Sequence, residues 1–192
     1  MKPIPAARDA WPEIEAAIDA ARRSRIIRPE IALDDVPAPV RLAAHGLAIN
    51  GEILDDHDNE LAHGRFVLLH EPGGQSEWLG NTRVVVFVHA ALEPELAVDP
   101  FLLEVGWDWL LEAIARHDAE VVAHSGTVSR SGSQSFGDIA GRPAEGAIEI
   151  RASWTVAPAQ AASSVLAWCD LLATAAGLIP LGDGVQSLPR RP

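Results

Sequence analysis

Lysine and cysteine are almost absent from this chain, and their scarcity excludes several kinds of catalytic site. Lys2 is the single lysine, so none is available for a phosphate-binding Walker A loop, a Ser-x-x-Lys nucleophile or an internal Schiff base. Cys169 is the single cysteine, which excludes an internal disulfide and the usual thiolate zinc and iron–sulfur sites. Because a single cysteine requires no oxidising compartment, we expect a cytoplasmic protein.

The common catalytic motifs are missing as well. The chain contains no His-Glu-x-x-His metalloprotease motif, no Gly-x-Gly-x-x-Gly dinucleotide-binding turn and no Gly-x-Ser-x-Gly nucleophile elbow. We therefore expect no cofactor, and the sequence assigns neither a catalytic residue nor a metal ligand.

Positive charge is scarce relative to negative charge. The chain has 27 Asp and Glu against 15 Lys and Arg, a formal net charge of −12. This sign repels nucleic-acid phosphates and anionic membrane surfaces, so we expect neither as a partner. The longest apolar stretch, residues 165–181, includes Asp170, Gly177 and Pro180, which is typical of a buried helix and its exit rather than of a membrane span.

The length of 192 residues is typical of one domain, and we expect an ordered core over residues 9–180 with an extended tail over 181–192. Apolar spacing predicts three helices and five strands in the order α-β-β-β-α-β-β-α. Short connections between strands favour a mainly antiparallel sheet with helices against it, an α+β fold. The predicted helices cover residues 9–23, 99–117 and 159–176, and the strands cover 41–53, 64–71, 83–91, 121–130 and 147–156.

The last predicted strand carries the best-defined row of polar residues. Its alternation turns Arg151, Ser153 and Thr155 to one face, where arginine and two hydroxyls could hold an anionic ligand. Arg130 lies in the Ser/Gly-rich segment 125–137, whose backbone N–H groups could form an anion-binding nest. The alternatives are the solvated face of an antiparallel sheet and a flexible hairpin connection.

The second predicted helix has more apolar surface than one sheet contact covers. Its apolar arc spans roughly 200° at 100° per residue, and Trp107 and Leu111 lie at the rim of that arc. The surplus must be covered by another helix, a second subunit or a partner. Trp78, in a predicted hairpin loop, either caps that hairpin against the core or is an exposed anchor for a partner.

Histidines and carboxylates could also form a metal site or take part in acid–base chemistry. The segment Asp55–Glu60 with His63 contains oxygen and imidazole ligands for a divalent cation, but it lacks the glycine and the final glutamate of an EF-hand. A charged hairpin tip that is simply solvated is the alternative. His63, His70, His89 and His124 lie on or beside strands, where acid–base chemistry is conceivable and hydrogen-bonded or exposed histidines are more usual.

Two resemblances bear on function. The element order resembles the secretion-chaperone fold, a small acidic α+β domain that usually dimerises and binds segments of other proteins. Over about residues 28–191 the chain also resembles an uncharacterised actinobacterial family, domain of unknown function 3000. That second resemblance lies in the segments Gly64–Pro72, Asp99–Leu110, Ser125–Arg130 and Glu149–Thr155, and it implies no activity.

The leading hypothesis is therefore a non-enzymatic protein-interaction or chaperone-like module that binds a partner protein or a second copy of itself, with Trp107, Leu111 and Trp78 as interface candidates. The alternative is a cofactor-independent enzyme or small-ligand-binding protein that uses Arg151, Ser153, Thr155 and Arg130. A third possibility is a metal-binding regulator that uses residues 55–63.

Overall fold

A computed structural model describes residues 9–178 of the chain. The tail expected over residues 181–192 lies outside the described residues. The helices are α1 (Trp11–Arg22), α2 (Pro94–Ala97), α3 (Leu102–Arg116) and α4 (Ala161–Ala175), and the strands are β1 (Ile31–Val36), β2 (His45–Leu54), β3 (Glu60–Gln75), β4 (Gly80–Leu92), β5 (Val121–Ser133) and β6 (Glu145–Val156). None of the helices within residues 9–178 is long and apolar enough to cross a membrane.

The six strands form one antiparallel sheet in the order β1-β2-β3-β4-β6-β5. The long helices lie on one face of it: α4 contacts β2, β3 and β4, α3 contacts β5 and β6, and both α1 and α3 pack against α4. We call the opposite side the open face. This layout is the α+β fold that the sequence predicts.

Alternation along β6 shows why these residues form a half-covered sheet. Its helix-facing residues are all buried, while Glu149, Arg151 and Ser153 between them remain partly or fully exposed on the open face. The predicted alternation of this strand is therefore confirmed. The buried set consists of Ile148, Ile150, Ala152, Trp154 and Val156.

Two glycines allow α4 to lie close to the middle of the sheet. A Cβ atom on Gly51 would be 2.8 Å from the Trp168 ring, and one on Gly64 would be 3.2 Å from Trp168 Nε1 and 2.5 Å from the Phe87 carbonyl oxygen. The indole N–H of Trp168 donates to that same carbonyl at 3.3 Å. The large ring fits at this point because the two strand residues directly beneath it, Gly51 and Gly64, have no side chain.

The prediction of five strands and three helices is wrong in two details. Strand β1 lies in a segment expected to be an irregular, proline-rich entry, because its six residues lie between Pro29 and Pro37 and include the exposed pair Asp34 and Asp35. Helix α2 is a single turn before the second predicted helix, too short to give a periodic signal. Without β1 and α2, the remaining order is the predicted α-β-β-β-α-β-β-α.

Candidate functional site

Strand β5 forms a long free edge of the sheet. It pairs with β6 on one side, and within residues 9–178 no strand pairs with its other side. All of its residues except Val121 and Val128 are exposed. From Ser125 to Ser133 it carries one charged side chain, Arg130, and no proline. Its outward N–H and C=O groups are therefore accessible to another extended chain.

The opposite edge is protected in the usual ways. Strand β1 has only six residues, it carries Asp34 and Asp35, and Pro37 follows it directly. Short length, charge and proline all discourage another strand from pairing at an edge. The two edges of the sheet therefore differ, and only β5 offers a long, nearly uncharged template.

A bulge marks the start of the free edge. The pairing of β5 with β6 is interrupted between Val122 and Ser125, and Ala123 has a left-handed φ of 50°. The Arg83 guanidinium donates to the Ala123 carbonyl oxygen at 2.9 Å. Arg83, which lies on β4, therefore reaches across β6 to hold the bulge, and the regular edge extends from Ser125 onward.

An open groove of about 500 Å³ runs between α3 and this edge. The α3 side presents Leu103 and Trp107 together with the exposed carboxylates of Glu104 and Asp108. The ring of Trp107 stacks on His124 with centroids 6.2 Å apart. The β5 side of the groove consists of Gly126 and Val128, and a Cβ atom on Gly126 would come within 2.6 Å of Trp107.

Two of the predicted interface residues lie on this side of α3. Trp107 is half-buried in the groove, and Leu111, one turn later, is also half-buried. The corner between α2 and α3 adds strongly exposed apolar side chains, with Val98 72% and Phe101 65% exposed. Arg130 ties β5 to this corner because its guanidinium donates to the Asp99 carbonyl. Edge, groove and apolar corner thus form one continuous surface.

Trp78 lies elsewhere, on the open face. It is half-buried and packs with a small cluster of Ala48, Val67 and Leu69 that is separate from the main core. Its carbonyl oxygen accepts a hydrogen bond from the Thr155 hydroxyl at 2.6 Å. Of the two alternatives that the sequence leaves for Trp78, these contacts correspond to the hairpin cap.

The polar row of β6 is occupied by contacts within the chain. The Arg83 guanidinium donates to Ser153 Oγ at 2.6 Å and to Thr155 Oγ1 at 3.0 Å, and burial lowers the pKa of Arg83. Arg151 pairs with Glu149 at 2.5 Å and lies over the Phe87 ring, 5.5 Å from its centroid. A ligand bound to this row would compete with these partners.

Arg130 does not join that row. It pairs in register with Ile148, whose side chain is buried beneath the helices. Arg130 therefore points to the helix side of the sheet, whereas Arg151, Ser153 and Thr155 point to the open face. The structure brings three of the four ligand candidates together and leaves the fourth on the opposite side.

A small cavity of about 180 Å³ lies between the segment after α1 and the helices α3 and α4. Its charged walls include Arg116, His117 and Asp170, and Arg116 forms an ion pair with Asp170. Burial raises the pKa of Asp170, but the nearby His117 and Arg116 side chains outweigh burial and lower it overall. Burial also raises the pKa of Cys169, which lines the cavity, to about 12, so the thiol remains protonated. The ion pair between Arg116 and Asp170 and the protonated thiol of Cys169 indicate that this cavity has a structural role rather than a catalytic one.

Two histidines anchor the start of α1 to the sheet. His45 Nε2 is 2.7 Å from Asp9 Oδ2, and Trp11 stacks on the His45 ring at 5.1 Å. His70 is 1% exposed, and its Nδ1 is 2.8 Å from Thr82 Oγ1. The sequence analysis does not identify this cluster, because the pairing of His45 with His70 and of His70 with Thr82 depends on strand register.

This anchor makes stability depend on pH. Burial is the main cause that lowers the pKa of His70, and His45 adds to it, while Asp9, Glu71 and the Asn81 backbone act in the opposite direction. The unfolded chain therefore binds a proton at this histidine at a higher pH, near the usual pKa of about 6.5, than the folded chain does. The stability from neutral His70 is complete above that value and is lost as the pH falls below it.

We expect the melting temperature to be lower at about pH 5.5 than at about pH 7.5. Thermal unfolding followed by circular dichroism measures this, and His70→Gln isolates the contribution because its side chain does not titrate. The pH dependence between these values should be weaker in His70→Gln than in the original chain. An equal dependence in both proteins would contradict the assignment to His70.

Of the ligands predicted in the Asp55–His63 segment, Glu60 and His63 lie together, with His63 Nδ1 2.7 Å from the Glu60 carboxylate, whereas Asp55 has another role. Asp55 Oδ1 accepts the backbone N–H groups of His57 and Asn59, at 2.7 and 2.9 Å. The hydrogen bonds from Asn59, followed by the one from His57, lower the pKa of Asp55. Asp55 therefore closes the β2–β3 turn, while His63 lies on the open face of β3.

His63 belongs instead to a row that crosses four strands. In the antiparallel register, Glu52 of β2 lies opposite His63, His63 opposite His89 of β4, and His89 opposite Glu149 of β6. Alternation places single residues on a face, but it does not say which residues of distant strands share a row. For this reason the sequence analysis, which includes His63 among its possible metal ligands, does not place it beside His89.

Comparison with known proteins gives one match. The family described as Protein of unknown function (DUF3000) matches residues 11–186. The comparisons with curated proteins and with solved structures found no match. The matched residues include every helix and strand described above, and the chain therefore belongs to the DUF3000 family, as its resemblance in sequence implies.

Proposed function

We propose that this protein is a non-enzymatic interaction module that binds an extended segment of a partner protein along the outer edge of β5. The observation that carries the proposal is the edge from Ser125 to Ser133, which is long, exposed and nearly free of charge. A peptide that adds a strand there gains main-chain hydrogen bonds, and neighbouring grooves select its side chains. Binding of extended segments is a chaperone-like activity.

The groove beside β5 indicates the chemistry of the segment. In a strand added to the edge, alternate side chains face the helix side, where Leu103 and Trp107 offer apolar contact. Glu104 and Asp108 flank these residues, and the whole chain carries a net charge of −12. Charge complementarity therefore favours a segment that carries both apolar and basic residues among the side chains that face α3.

The small-ligand alternative requires existing contacts within the chain to break. The hydroxyls of Ser153 and Thr155 are hydrogen-bonded to Arg83, and Arg151 is paired with Glu149. A ligand on that row must displace Arg83 or Glu149, whereas the edge of β5 accepts a strand without breaking any of these contacts.

The test uses a synthetic eight-residue peptide in which valine and arginine alternate at every second position, with threonine between them, so that both valine and arginine face α3. Amide hydrogen exchange is the measurement. We expect the peptide to slow exchange at Ser125–Ser133 and to leave β1 unchanged. A peptide N-methylated at every residue, which can donate none of those hydrogen bonds, should protect much less. Glu104→Gln combined with Asp108→Asn should weaken binding about three- to tenfold, because two exposed ion pairs are lost.

A matched control variant distinguishes peptide binding at the β5 edge from general electrostatic attraction to the acidic protein. Glu15→Gln combined with Asp19→Asn removes the same charges at the same spacing on α1 and should leave affinity unchanged. Protection absent from β5, or equal loss of affinity in both double variants, would overturn the proposal. Protection of β5 in the free protein, together with a dimer in sedimentation, would mean that a second copy occupies the edge instead.

A further inference from the structure

The two central histidines of the cross-sheet row lie against each other on the open face. The rings of His63 and His89 have centroids 5.0 Å apart and an interplanar angle of 24°. The Glu60 carboxylate, from the start of β3, is 2.7 Å from His63 Nδ1. One donor atom from each of Glu60, His63 and His89 lies within 4.8 Å of the other two.

One ring nitrogen of His89 lacks a hydrogen-bond partner among the described residues. Its Nδ1 atom is buried, and within the part of the chain that the structure describes it has no hydrogen-bond partner. Burying a polar atom without a hydrogen-bond partner destabilises the folded state, so most buried polar atoms have a partner. His63 and Glu60, by contrast, are hydrogen-bonded to each other. A ligand that takes a lone pair from imidazole would satisfy His89.

We propose that Glu60, His63 and His89 form a binding site for a divalent transition-metal ion such as zinc. Two imidazoles and one carboxylate suit zinc and its neighbours, whereas magnesium and calcium prefer oxygen ligands alone. Around a tetrahedral zinc ion the donor atoms lie about 3.3 Å apart. The donor atoms now lie within 4.8 Å of one another, and metal binding requires side-chain rotations of these three residues, none of which is fully buried.

The surroundings of the cluster favour a positive ion. Glu52 lies opposite His63 and Glu149 lies opposite His89, so the histidines are flanked by carboxylates on both sides. Glu149 can supply a fourth ligand by giving up its pairing with Arg151, and solvent can supply it otherwise. The site is on β3 and β4, away from the outer edge of β5, and does not rest on the proposed strand docking.

Titration calorimetry on the full, untagged chain tests this, with zinc chloride alone and magnesium chloride alone as probes. We expect one zinc ion per chain and no magnesium binding. His63→Gln and His89→Gln should each weaken zinc binding at least about tenfold, the size of effect known for residues that merely orient a ligand. His57→Gln removes an exposed histidine from the adjacent turn and should change affinity less than about twofold, which also excludes the Asp55–His57 turn.

Copper(II) as a spectroscopic probe reports the ligands directly. Its electron paramagnetic resonance spectrum should show coupling to two imidazole nitrogens in the original chain and to one in His89→Gln. Unchanged far-ultraviolet circular dichroism shows that each variant folds. Zinc affinity equal in the original chain, His63→Gln and His89→Gln would overturn the proposal and indicate adventitious binding elsewhere, and a copper spectrum unchanged in His89→Gln would do the same.

Discussion

Replacing Trp168 with alanine should lower the free energy of unfolding by about 3–5 kcal/mol, the cost of removing a fully buried aromatic side chain from a core. The ring packs against Phe66 with centroids 5.8 Å apart, and its indole N–H is bonded to the Phe87 carbonyl. The floor beneath it is formed by Gly51 and Gly64. Glycines have no side chain that can move into the cavity, so relaxation is limited and the loss should lie toward the upper part of that range. Denaturant unfolding measures it.

Trp168→Phe is the matched control for this prediction. It retains an aromatic ring against Phe66 but loses the hydrogen bond to the Phe87 carbonyl and part of the ring volume. We expect a loss of about 1–2 kcal/mol, the sum of one hydrogen bond and a modest cavity. A loss below about 1 kcal/mol for Trp168→Ala would mean that α4 does not pack over the glycines as described.

The local sequence predicts those helices and strands in which apolar residues recur regularly on one face. In β6, Ile148 and Ile150 alternate with Glu149 and Arg151, and both the strand and its buried face follow from that pattern. In β1, apolar and polar residues do not alternate, since Asp34 and Asp35 follow Ile31–Leu33, and prolines lie on either side, so the local signal is that of a loop. The pairing with β2 supplies the missing stability through tertiary hydrogen bonds.

The candidate sites depend on information that no local pattern contains. Trp107 could be placed on an apolar rim from helical spacing alone, but its contact with Gly126 follows from the position of β5 at the sheet edge. Similarly, His63 and His89 are 26 residues apart in the chain and become neighbours only through the register of β3 with β4. Sheet order and register are set by the whole core, so single-residue patterns do not predict them.

Replacing Arg83 with methionine should lower the free energy of unfolding by about 1.5–3 kcal/mol, because hydrogen bonds from a charged donor are lost. Methionine preserves most of the aliphatic length but donates to neither Ser153 nor Thr155 nor the Ala123 carbonyl. Thr155 retains its bond to the Trp78 carbonyl, so the damage should concentrate at Ser153 and at the bulge. Amides from Val121 to Ser125 should exchange faster with solvent than in the original chain.

Arg65→Met is the control, because Arg65 is exposed on the open face, where its Nε donates a hydrogen bond to Asn50 Oδ1 at 2.9 Å. It should cost less than about 0.5 kcal/mol. Since Arg83 fixes the bulge at which the free edge begins, Arg83→Met should also weaken binding of the arginine–valine peptide, whereas Arg65→Met should not. If Arg83→Met lowers stability but leaves both the exchange of residues 121–125 and peptide affinity unchanged, then the bulge does not position the edge, and Arg83 only joins β4 to β6.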